Sequence, residues 1–188
     1  LKRISSLVPE NDIIILQDYN KGVLTPKVIK YIISLANKHN IPTIVDPKIN
    51  NFLEYKDCTV FKPNLYEIKK GMNKEFDDSN HNNLRIMSEE LRELLNAKAI
   101  LLTLSEKGIF INTKEEYKHI NAIKRTIIDV SGAGDTVVSV AALCLANNIN
   151  YNDLAIISNI AAGIVCENIG VVAIEKDKNL KELKLYNS

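Results

Sequence analysis

Apolar and polar positions alternate along this chain in two distinct patterns. Short runs of mostly β-branched residues are separated by longer stretches in which apolar residues recur every three or four positions. The short runs predict buried strands, and the longer spacing predicts helices with one buried face. Strands are predicted at residues 13–16, 43–45, 59–61, 99–104 and 126–130, and a last short apolar run lies at residues 171–174. Because helical stretches lie between most of these runs, we expect a three-layer α/β fold whose mainly parallel sheet has helices on both faces.

Several helices carry recognisable starting signals. Thr25 is a cap residue, and Pro26 stands at the first helical position, where proline is favoured. The buried stripe of that helix comprises Val28, Ile29, Ile32, Ile33 and Ala36. Further helices are predicted at residues 83–96, 134–147 and 151–166. Two consecutive apolar runs, 108–112 and 117–120, interrupt the alternation and predict a short antiparallel hairpin. The polar, lysine-rich residues 175–188 predict a frayed helix or a disordered tail.

Composition narrows the function classes. The chain has 188 residues, of which 46% are hydrophobic and 25% are charged. This suits a single domain, residues 1–188, with its core at about 11–174. The 24 basic and 23 acidic residues are spread along the chain, so it lacks the basic field that nucleic-acid binding needs. Membrane insertion is not supported either, and we expect a small-molecule partner.

The cysteines bear on the compartment. Cys58, Cys144 and Cys166 are widely separated and lack the C-x-x-C spacing of zinc or redox sites. They predict buried free thiols, which is typical of the reducing cytoplasm. No signal peptide is recognisable, and the chain begins at Leu1 rather than at methionine. We therefore expect a cytoplasmic piece of a longer protein.

The segment Asp129-Val-Ser-Gly-Ala-Gly-Asp135-Thr carries the strongest chemical signal. Gly132, Ala133 and Gly134 form a turn of small residues that leads into a predicted helix. Backbone N–H groups in such a turn can face a phosphate, and the helix dipole adds positive potential there. Asp135 could then take a proton from an attacking hydroxyl. The structural alternative is that the glycines only permit a tight turn and that Asp135 is an ordinary residue of the helix start.

Further polar groups follow predicted strands, and ligands of open α/β sheets collect outside the carboxyl ends of the strands. Asn64 and Glu67 are spaced so that they could hold hydrated Mg²⁺, and the same spacing fits a capping box equally well. Thr103, Ser105 and Gly108 lie in a turn that could contact a nucleotide or could simply begin the hairpin.

These motifs together resemble the ribokinase-like (PfkB-type) carbohydrate kinases. The Gly-rich segment is similar to the C-terminal signature of that family, except that Val140 stands where Gly or Ala is usual. Asn64 and Glu67 match the family's N-x-x-E motif. The turn at residues 103–108 is similar to its T-x-G-x-x-G motif, with Ser105 at the middle Gly.

Two shorter segments resemble one branch of this family. These are Q-D-Y-N-K-G at residues 17–22 and D-P-K at residues 46–48. They are similar to the D-glycero-D-manno-heptose 7-phosphate kinases, which also form the kinase half of bifunctional ADP-heptose synthases. The resemblance spans residues 11–174 and corresponds to the C-terminal part of a family member only. The N-terminal part of the family fold, with much of the sugar pocket and the β lid, has no counterpart here.

The resemblance implies ATP as phosphoryl donor, a sugar phosphate as acceptor, and Mg²⁺ with K⁺ as ions. It assigns the base to Asp135 and charge stabilisation to Gly132, Ala133 and Gly134. Asp129 would lie where some members bind the monovalent cation. The residues assigned to nucleotide or hydrated Mg²⁺ are Asn64, Glu67, Thr103, Ser105, Gly108, Asn159 and Gly163. For the last two, close helix packing is the alternative explanation.

The implied reaction phosphorylates the anomeric hydroxyl of the heptose 7-phosphate, for ADP-heptose and lipopolysaccharide-core synthesis. The intact protein would be a homodimer. Two alternatives stay open: a kinase for another sugar or sugar phosphate, and a catalytically silent nucleotide-binding module that lacks the sugar pocket.

Overall fold

A single six-stranded sheet organises the computed structural model, which describes residues 1–186. Its strands are β1 (Ile14–Gln17), β2 (Thr43–Asp46), β3 (Val60–Phe61), β4 (Ala99–Thr103), β5 (Ile109–Thr113) and β6 (Tyr117–Ile120). They lie side by side in sequence order. Strands β1 to β4 are parallel, and β5 pairs antiparallel with both β4 and β6. The prediction of a mainly parallel sheet with one antiparallel hairpin is confirmed.

Within the described residues, three of the helices connect strands, one precedes β1, and three follow β6. They are α1 (Lys2–Leu7), α2 (Pro26–Lys38), α3 (Leu65–Gly71), α4 (His81–Leu95), α5 (Ala133–Ala146), α6 (Tyr151–Val165) and α7 (Lys176–Tyr186). As predicted, Thr25 caps α2 by accepting the N–H of Val28 at 3.4 Å. The charged helix α4 begins earlier than predicted, because the side chain of Asn80 accepts the N–H of Asn82 and caps the helix there.

The sheet is buried on both faces. Helices α5 and α6 cover one face, and α2, α3 and α4 cover the other. The side chains facing α5 and α6 include Ile44, Val60, Ala99, Leu101, Ile109 and Ile111. The opposite face presents Leu16, Val45, Phe61, Ile100, Leu102 and Phe110. Because successive side chains of a strand point to opposite faces, the continuous apolar runs of the sequence produce two cores and a three-layer fold.

The strand prediction at residues 126–130 is wrong. Residues 126–130 and 171–174 are irregular rather than extended in a sheet. The N–H groups of Ile128 and Asp129 donate to the carbonyl of Cys166, at 2.8 and 3.2 Å, and not to a neighbouring strand. Several apolar side chains of these segments stay exposed, as in Val130 and Val171, whereas Ile174 packs against the core. A short apolar run resembles a strand in sequence, but it forms one only where an adjacent strand offers hydrogen bonds.

The described part of the C-terminal tail is helical, and the three cysteines are buried thiols. Helix α7 occupies the predicted frayed or disordered tail, whose last residues, 187 and 188, lie outside the described part of the chain. Cys58, Cys144 and Cys166 are free and buried, as predicted. Burial raises the pKa of Cys144 to about 11, which keeps it a protonated thiol. Within residues 1–186, no helix is both long and apolar enough to span a bilayer.

Gly108 determines how closely the hairpin can approach the chain that follows it. Its φ is +92°, and a Cβ at this position would lie 2.6 Å from Ala122 N and 2.8 Å from Asn121 C. We expect Gly108→Ala to lower the free energy of unfolding by about 2 kcal/mol or more, because the backbone conformation and the collision both oppose it. Urea denaturation of the 188-residue chain measures this loss.

Gly22 is the matched control. It also has a positive φ, +82°, but a Cβ there would meet no atom within 4 Å. Gly22→Ala should therefore lose only the conformational contribution, about 1 kcal/mol. Equal losses in the two variants would show that the close approach at Gly108 does not matter.

Candidate active site

The Gly-rich turn lies at the start of α5. Gly132 is the N-cap residue with φ of +79°, and Asp135 lies in the first helical turn. The leading N–H groups of a helix have no carbonyl ahead of them, so the positive end of the α5 dipole is directed at this turn. The N–H of Ala133 is not free for an anion, because it already donates to Val130 O at 3.2 Å. The amides of Gly132, Gly134 and Asp135 are therefore better placed than that of Ala133 to donate to an anion, and the role predicted for Ala133 is smaller.

Asp135 is connected to the ends of β1 and β2. Its Oδ1 accepts a hydrogen bond from Gln17 Nε2 at 2.6 Å, and the same nitrogen donates to Asp46 Oδ2 at 3.0 Å. Asp46 Oδ1 forms an ion pair with Lys62 Nζ at 2.9 Å. That ammonium lies 3.9 Å from the position that a Cβ on Gly134 would occupy, so it is just behind the turn. Sequence reasoning assigned no role to Gln17 or Lys62.

The ion pair between Asp46 and Lys62 is buried, with both residues less than a tenth exposed. Burial raises the pKa of Asp46, and the nearby Lys62 ammonium only partly offsets this effect. The charged form of Asp46 is thus less favourable in the folded protein than in the unfolded chain. An ion pair held under these conditions contributes little to stability and is better explained by its position behind the Gly-rich turn.

Asn64 and Glu67 form a complete capping box at the start of α3. Asn64 Oδ1 accepts the N–H of Glu67 at 2.8 Å, and Glu67 Oε2 accepts the N–H of Asn64 at 2.9 Å. Glu67 Oε1 pairs with Lys48 Nζ at 2.8 Å, and Glu67 is buried. The capping box that the spacing of these two residues predicts is therefore present in the molecule. The ion pair between Lys48 and Glu67 also joins the D-P-K segment at the end of β2 to the loop after β3.

These contacts limit how a metal ion could be held here. Both carboxylate oxygens of Glu67 already have partners, so direct coordination does not fit the arrangement. Each oxygen keeps a second lone pair, which fits a bridging water and hence a hydrated Mg²⁺. Within residues 1–186, no group of three or more His, Cys, Asp or Glu side chains could hold a metal ion by itself.

The loop after β4 lies beside the loop after β3. Thr103 N–H donates to Pro63 O at 3.0 Å, and Asn64 and Thr103 form an isolated parallel bridge. Ser105 begins a short 3-10 turn with φ of +54°, and Gly108 closes it by accepting the N–H of Leu104 at 2.8 Å. The structure therefore brings the N-x-x-E motif and the predicted nucleotide turn together at one edge of the sheet.

Asp129 organises a different loop. Its Oδ1 accepts both the N–H and the hydroxyl of Ser131, at 2.9 and 2.7 Å, and its Oδ2 accepts the N–H of Gly170 at 2.8 Å. These hydrogen bonds, chiefly that from the Ser131 backbone, hold the pKa of Asp129 below its usual value. Three donors converge on this carboxylate, so it is suited to fixing the loop near Gly170 rather than to binding a cation directly.

Asn159 and Gly163 lie on α6. Asn159 Nδ2 donates to Asn121 O at 2.9 Å. A Cβ on Gly163 would lie 2.9 Å from Arg125 Nε, so the arginine side chain passes close over this glycine. Arg125 in turn pairs with Glu167 at 3.0 Å and with Glu182 of α7 at 2.7 Å. Both α6 residues thus hold the segment after β6 against the helix, which is the packing role considered as the alternative for them.

The loop after β1 is fixed by Asp18. Its Oδ1 accepts the N–H of Asn20 at 2.6 Å, and its Oδ2 accepts the hydroxyl of Tyr55 at 2.7 Å. Burial, reinforced by this hydrogen bond to Asp18, raises the pKa of Tyr55, so the phenol stays a donor. The D-Y-N-K-G segment therefore leaves β1 along a defined path next to Gln17.

Solved structures share this fold. Phosphofructokinase-2 from Escherichia coli in complex with potassium superposes with a TM-score of 0.88 at 20% identity, over 100% of this chain and 62% of that chain. Ribokinase from Arabidopsis thaliana, complexed with ribose and ATP, superposes with a TM-score of 0.82 at 18% identity, over 98% of this chain and 59% of that chain. At such identities the likeness defines a ribokinase-like fold.

The sequence defines the family. The model of the pfkB family carbohydrate kinases matches residues 2–178, and the chain belongs to that family. Among curated relatives, the bifunctional protein HldE of Aliarcobacter butzleri is 38% identical over 157 residues, which are 84% of this chain and 32% of the relative. HldE of Koribacter versatilis is 33% identical over 183 residues, 97% of this chain and 37% of the relative. The chain thus spans about a third of the length of these relatives.

Proposed function

We propose that this chain is the nucleotide-binding and catalytic-base side of an ATP-dependent sugar kinase. The observation that carries this proposal is the position of Asp135, directly after the Gly-rich turn and hydrogen-bonded to Gln17 at 2.6 Å. A carboxylate placed beside free helix N–H groups can accept a proton from a hydroxyl while those groups hold the phosphoryl oxygens. Membership of the pfkB family supports a sugar as the source of that hydroxyl.

The acceptor we propose is the anomeric hydroxyl of D-glycero-D-manno-heptose 7-phosphate. Residues 17–22 and 46–48 resemble the heptose 7-phosphate kinases, and HldE proteins are relatives at 33% to 38% identity. In the reaction, the bond between the γ-phosphorus of ATP and the oxygen bridging to the β-phosphate breaks. A bond to the anomeric oxygen forms, its proton goes to Asp135, and ADP leaves. The product, a 1,7-bisphosphate, would serve ADP-heptose and lipopolysaccharide-core synthesis.

Different loops of the site would contact the phosphoryl group, the nucleotide and the metal ion. The amides of Gly132, Gly134 and Asp135, with a smaller share from Ala133, would donate to the transferring phosphoryl group, a type of contact worth about 3 kcal/mol per preorganised donor. Thr103, Ser105 and Gly108 would shape the nucleotide site beside Asn64. Asn64 and Glu67 would hold Mg²⁺ through water, and that ion would supply charge neutralisation on the phosphates. No step is assigned to K⁺, because the Asp129 carboxylate is already engaged by N–H and O–H donors.

We further propose that residues 1–188 act as one partial domain that a sugar-binding part completes. Among the described strands, β1 has β2 as its single neighbour, so its other edge is open. The solved neighbours are matched over 59% to 62% of their length. A homodimer in the cytoplasm belongs to the same proposal; free buried cysteines fit that compartment, and the dimer rests on the resemblance alone.

A catalytically silent nucleotide-binding module is the second candidate. Both candidates predict nucleotide binding, and only the kinase predicts turnover once the rest of the protein is present. The retained Asp135 and its hydrogen bond to Gln17 favour the kinase.

Nucleotide binding tests the role of the N-x-x-E motif. We expect ATP·Mg²⁺ to bind to the chain and Asn64→Ala with Glu67→Ala to weaken that binding about tenfold or more, because the hydrated ion loses its supports. Isothermal titration at several Mg²⁺ concentrations measures both the affinity and its metal dependence.

The loss of a capping box needs its own control, since it lowers helix stability by about 1 kcal/mol. Asn150 and Asp153 form a comparable cap of α6, in which Asn150 Oδ1 accepts the N–H of Asp153 at 2.9 Å and Asp153 Oδ2 accepts the side-chain amide of Asn150 at 2.8 Å. Asn150→Ala with Asp153→Ala should leave nucleotide affinity unchanged. Equal affinity and equal Mg²⁺ dependence in wild type and the Asn64/Glu67 variant would contradict the metal role.

A further inference from the structure

Gln17 lies between two carboxylates at the end of β1. In the parallel pair of β1 and β2, Gln17 and Asp46 are register partners, so their side chains stand next to each other on the same face of the sheet. This face is the one covered by α5, whose first turn carries Asp135. Strand register and helix position therefore bring one amide against two acids that are distant in sequence.

The amide can serve both acids at once. A glutamine NH₂ group has two hydrogens, and here it donates at 2.6 Å to Asp135 Oδ1 and at 3.0 Å to Asp46 Oδ2. The opposite orientation would place the amide oxygen against two carboxylates and is electrostatically excluded. Hydrogen bonds to ionised acceptors are shorter and stronger than neutral ones, so this bridge fixes the Gln17 side chain firmly.

The far end of the bridge is anchored. Asp46 is held from the other side by Lys62 Nζ at 2.9 Å, and both residues are buried. Asp135, by contrast, is exposed at the surface of the turn. An exposed carboxylate would ordinarily sample several rotamers, whereas this one is connected through Gln17 to a buried ion pair that cannot move freely.

From this geometry we infer that Gln17 is a positioning residue, which holds the Asp135 carboxylate in the orientation needed to accept the substrate proton. The inference rests on the proposed function and adds to it a residue that acts only through Asp135. A base must stand within hydrogen-bond reach of the proton it takes, and small misplacements of catalytic groups cost up to about a hundredfold in rate. Gln17, at the end of β1, holds the Asp135 carboxylate in place by its hydrogen bond to Oδ1.

The bridge itself can be observed without any enzymatic activity. Gln17 is the single glutamine of the sequence, so labelling glutamine side chains with ¹⁵N in the 188-residue chain gives one NH₂ group. Both of its protons should resonate downfield of a solvent-exposed amide, because each bonds a carboxylate. Asp135→Ala should return one proton to the ordinary position and leave the other. Asp12→Ala, the same change at an exposed acid, should move neither.

Kinetics of the complete protein then test the consequence. Gln17→Met keeps the side-chain length and removes the donors; it should lower kcat about tenfold to a hundredfold with little change in nucleotide affinity. In an Asp135→Asn background the same change should cost almost nothing more, because a residue that acts through the base has no effect once the base is gone. Additive losses in the two backgrounds would overturn the positioning role.

The two experiments separate the inference from the proposed function. A Gln17 amide at the ordinary exposed position, unaffected by Asp135→Ala, would refute the bridge whatever the protein does. If the amide responds as expected but no sugar is phosphorylated by the complete protein, the proposed function is wrong, and the positioning role is overturned with it.

Discussion

Replacing Asp135 with asparagine in the complete protein should lower turnover on the sugar phosphate at least about a hundredfold, since a positioned base contributes about 10²–10⁴ in rate. Asparagine keeps the size of the side chain and still offers an oxygen to Gln17. Nucleotide affinity should stay within a few-fold, because the helix N–H groups of the Gly-rich turn are unchanged. Steady-state kinetics with a separate nucleotide titration measures both quantities.

Asp153→Asn is the matched control for this substitution. Asp153 occupies the first turn of α6 as Asp135 occupies the first turn of α5. If the acid only stabilised a helix start, the two variants would behave alike. Unchanged turnover in Asp135→Asn would place the base elsewhere, and lost nucleotide binding would favour a purely structural role for Asp135.

Lys62→Met should strongly destabilise the chain. It removes the cation that lies 2.9 Å from the buried Asp46, and stranding one member of a buried pair costs about 3–5 kcal/mol. The free energy of unfolding from urea denaturation at neutral pH measures this loss. A loss below about 1 kcal/mol would show that the carboxylate is compensated by other groups.

The pH dependence of this loss has a defined sign. Burial already raises the pKa of Asp46 in the wild type, and removing Lys62 raises it further. A raised pKa in the folded state destabilises the protein above the unfolded pKa, and the penalty is relieved as the pH falls through the folded value. The difference between Lys62→Met and wild type should therefore shrink on acidification. Adding Asp46→Asn, which removes the stranded charge, should recover most of the stability at neutral pH.

The core of the fold could be predicted from sequence because its signal is local. The continuous apolar runs at β2 and β4 are buried on both faces, and such runs are typical of parallel sheets. Residues 126–130 show the limit of that rule. The apolar run is equally clear there, but among the described residues no strand pairs with it, and the N–H groups of Ile128 and Asp129 donate to the carbonyl of Cys166 instead.

The candidate site could be predicted only in part, for a related reason. Asp135 can be proposed as the base from sequence alone, because its signal is contained in consecutive residues of a Gly-rich motif. Gln17 and Lys62 have no such motif; their roles arise from the register of β1 against β2 and from the place where α5 begins. Pairings across the sheet are a property of the fold, and single-sequence patterns do not contain them.

For the N-x-x-E motif, the sequence predicts two roles and cannot separate them. Its spacing fits both a capping box and a metal support, and the structure contains the capping box, with Glu67 also paired to Lys48. The two roles are compatible, since a fixed carboxylate that keeps lone pairs can still hold a hydrated ion. Sequence could not separate them, because both require the same two residues at the same helix start.

Phosphoryl transfer by the complete protein tests the central proposal most directly. ³¹P NMR of a mixture of ATP, Mg²⁺ and D-glycero-D-manno-heptose 7-phosphate should show ADP and a new anomeric phosphate ester forming together, and Asp135→Asn should nearly abolish both. Ribose or fructose 6-phosphate in place of the heptose should give far less product. Binding of ATP without transfer to any of these sugars would contradict the kinase assignment and favour a silent nucleotide-binding module.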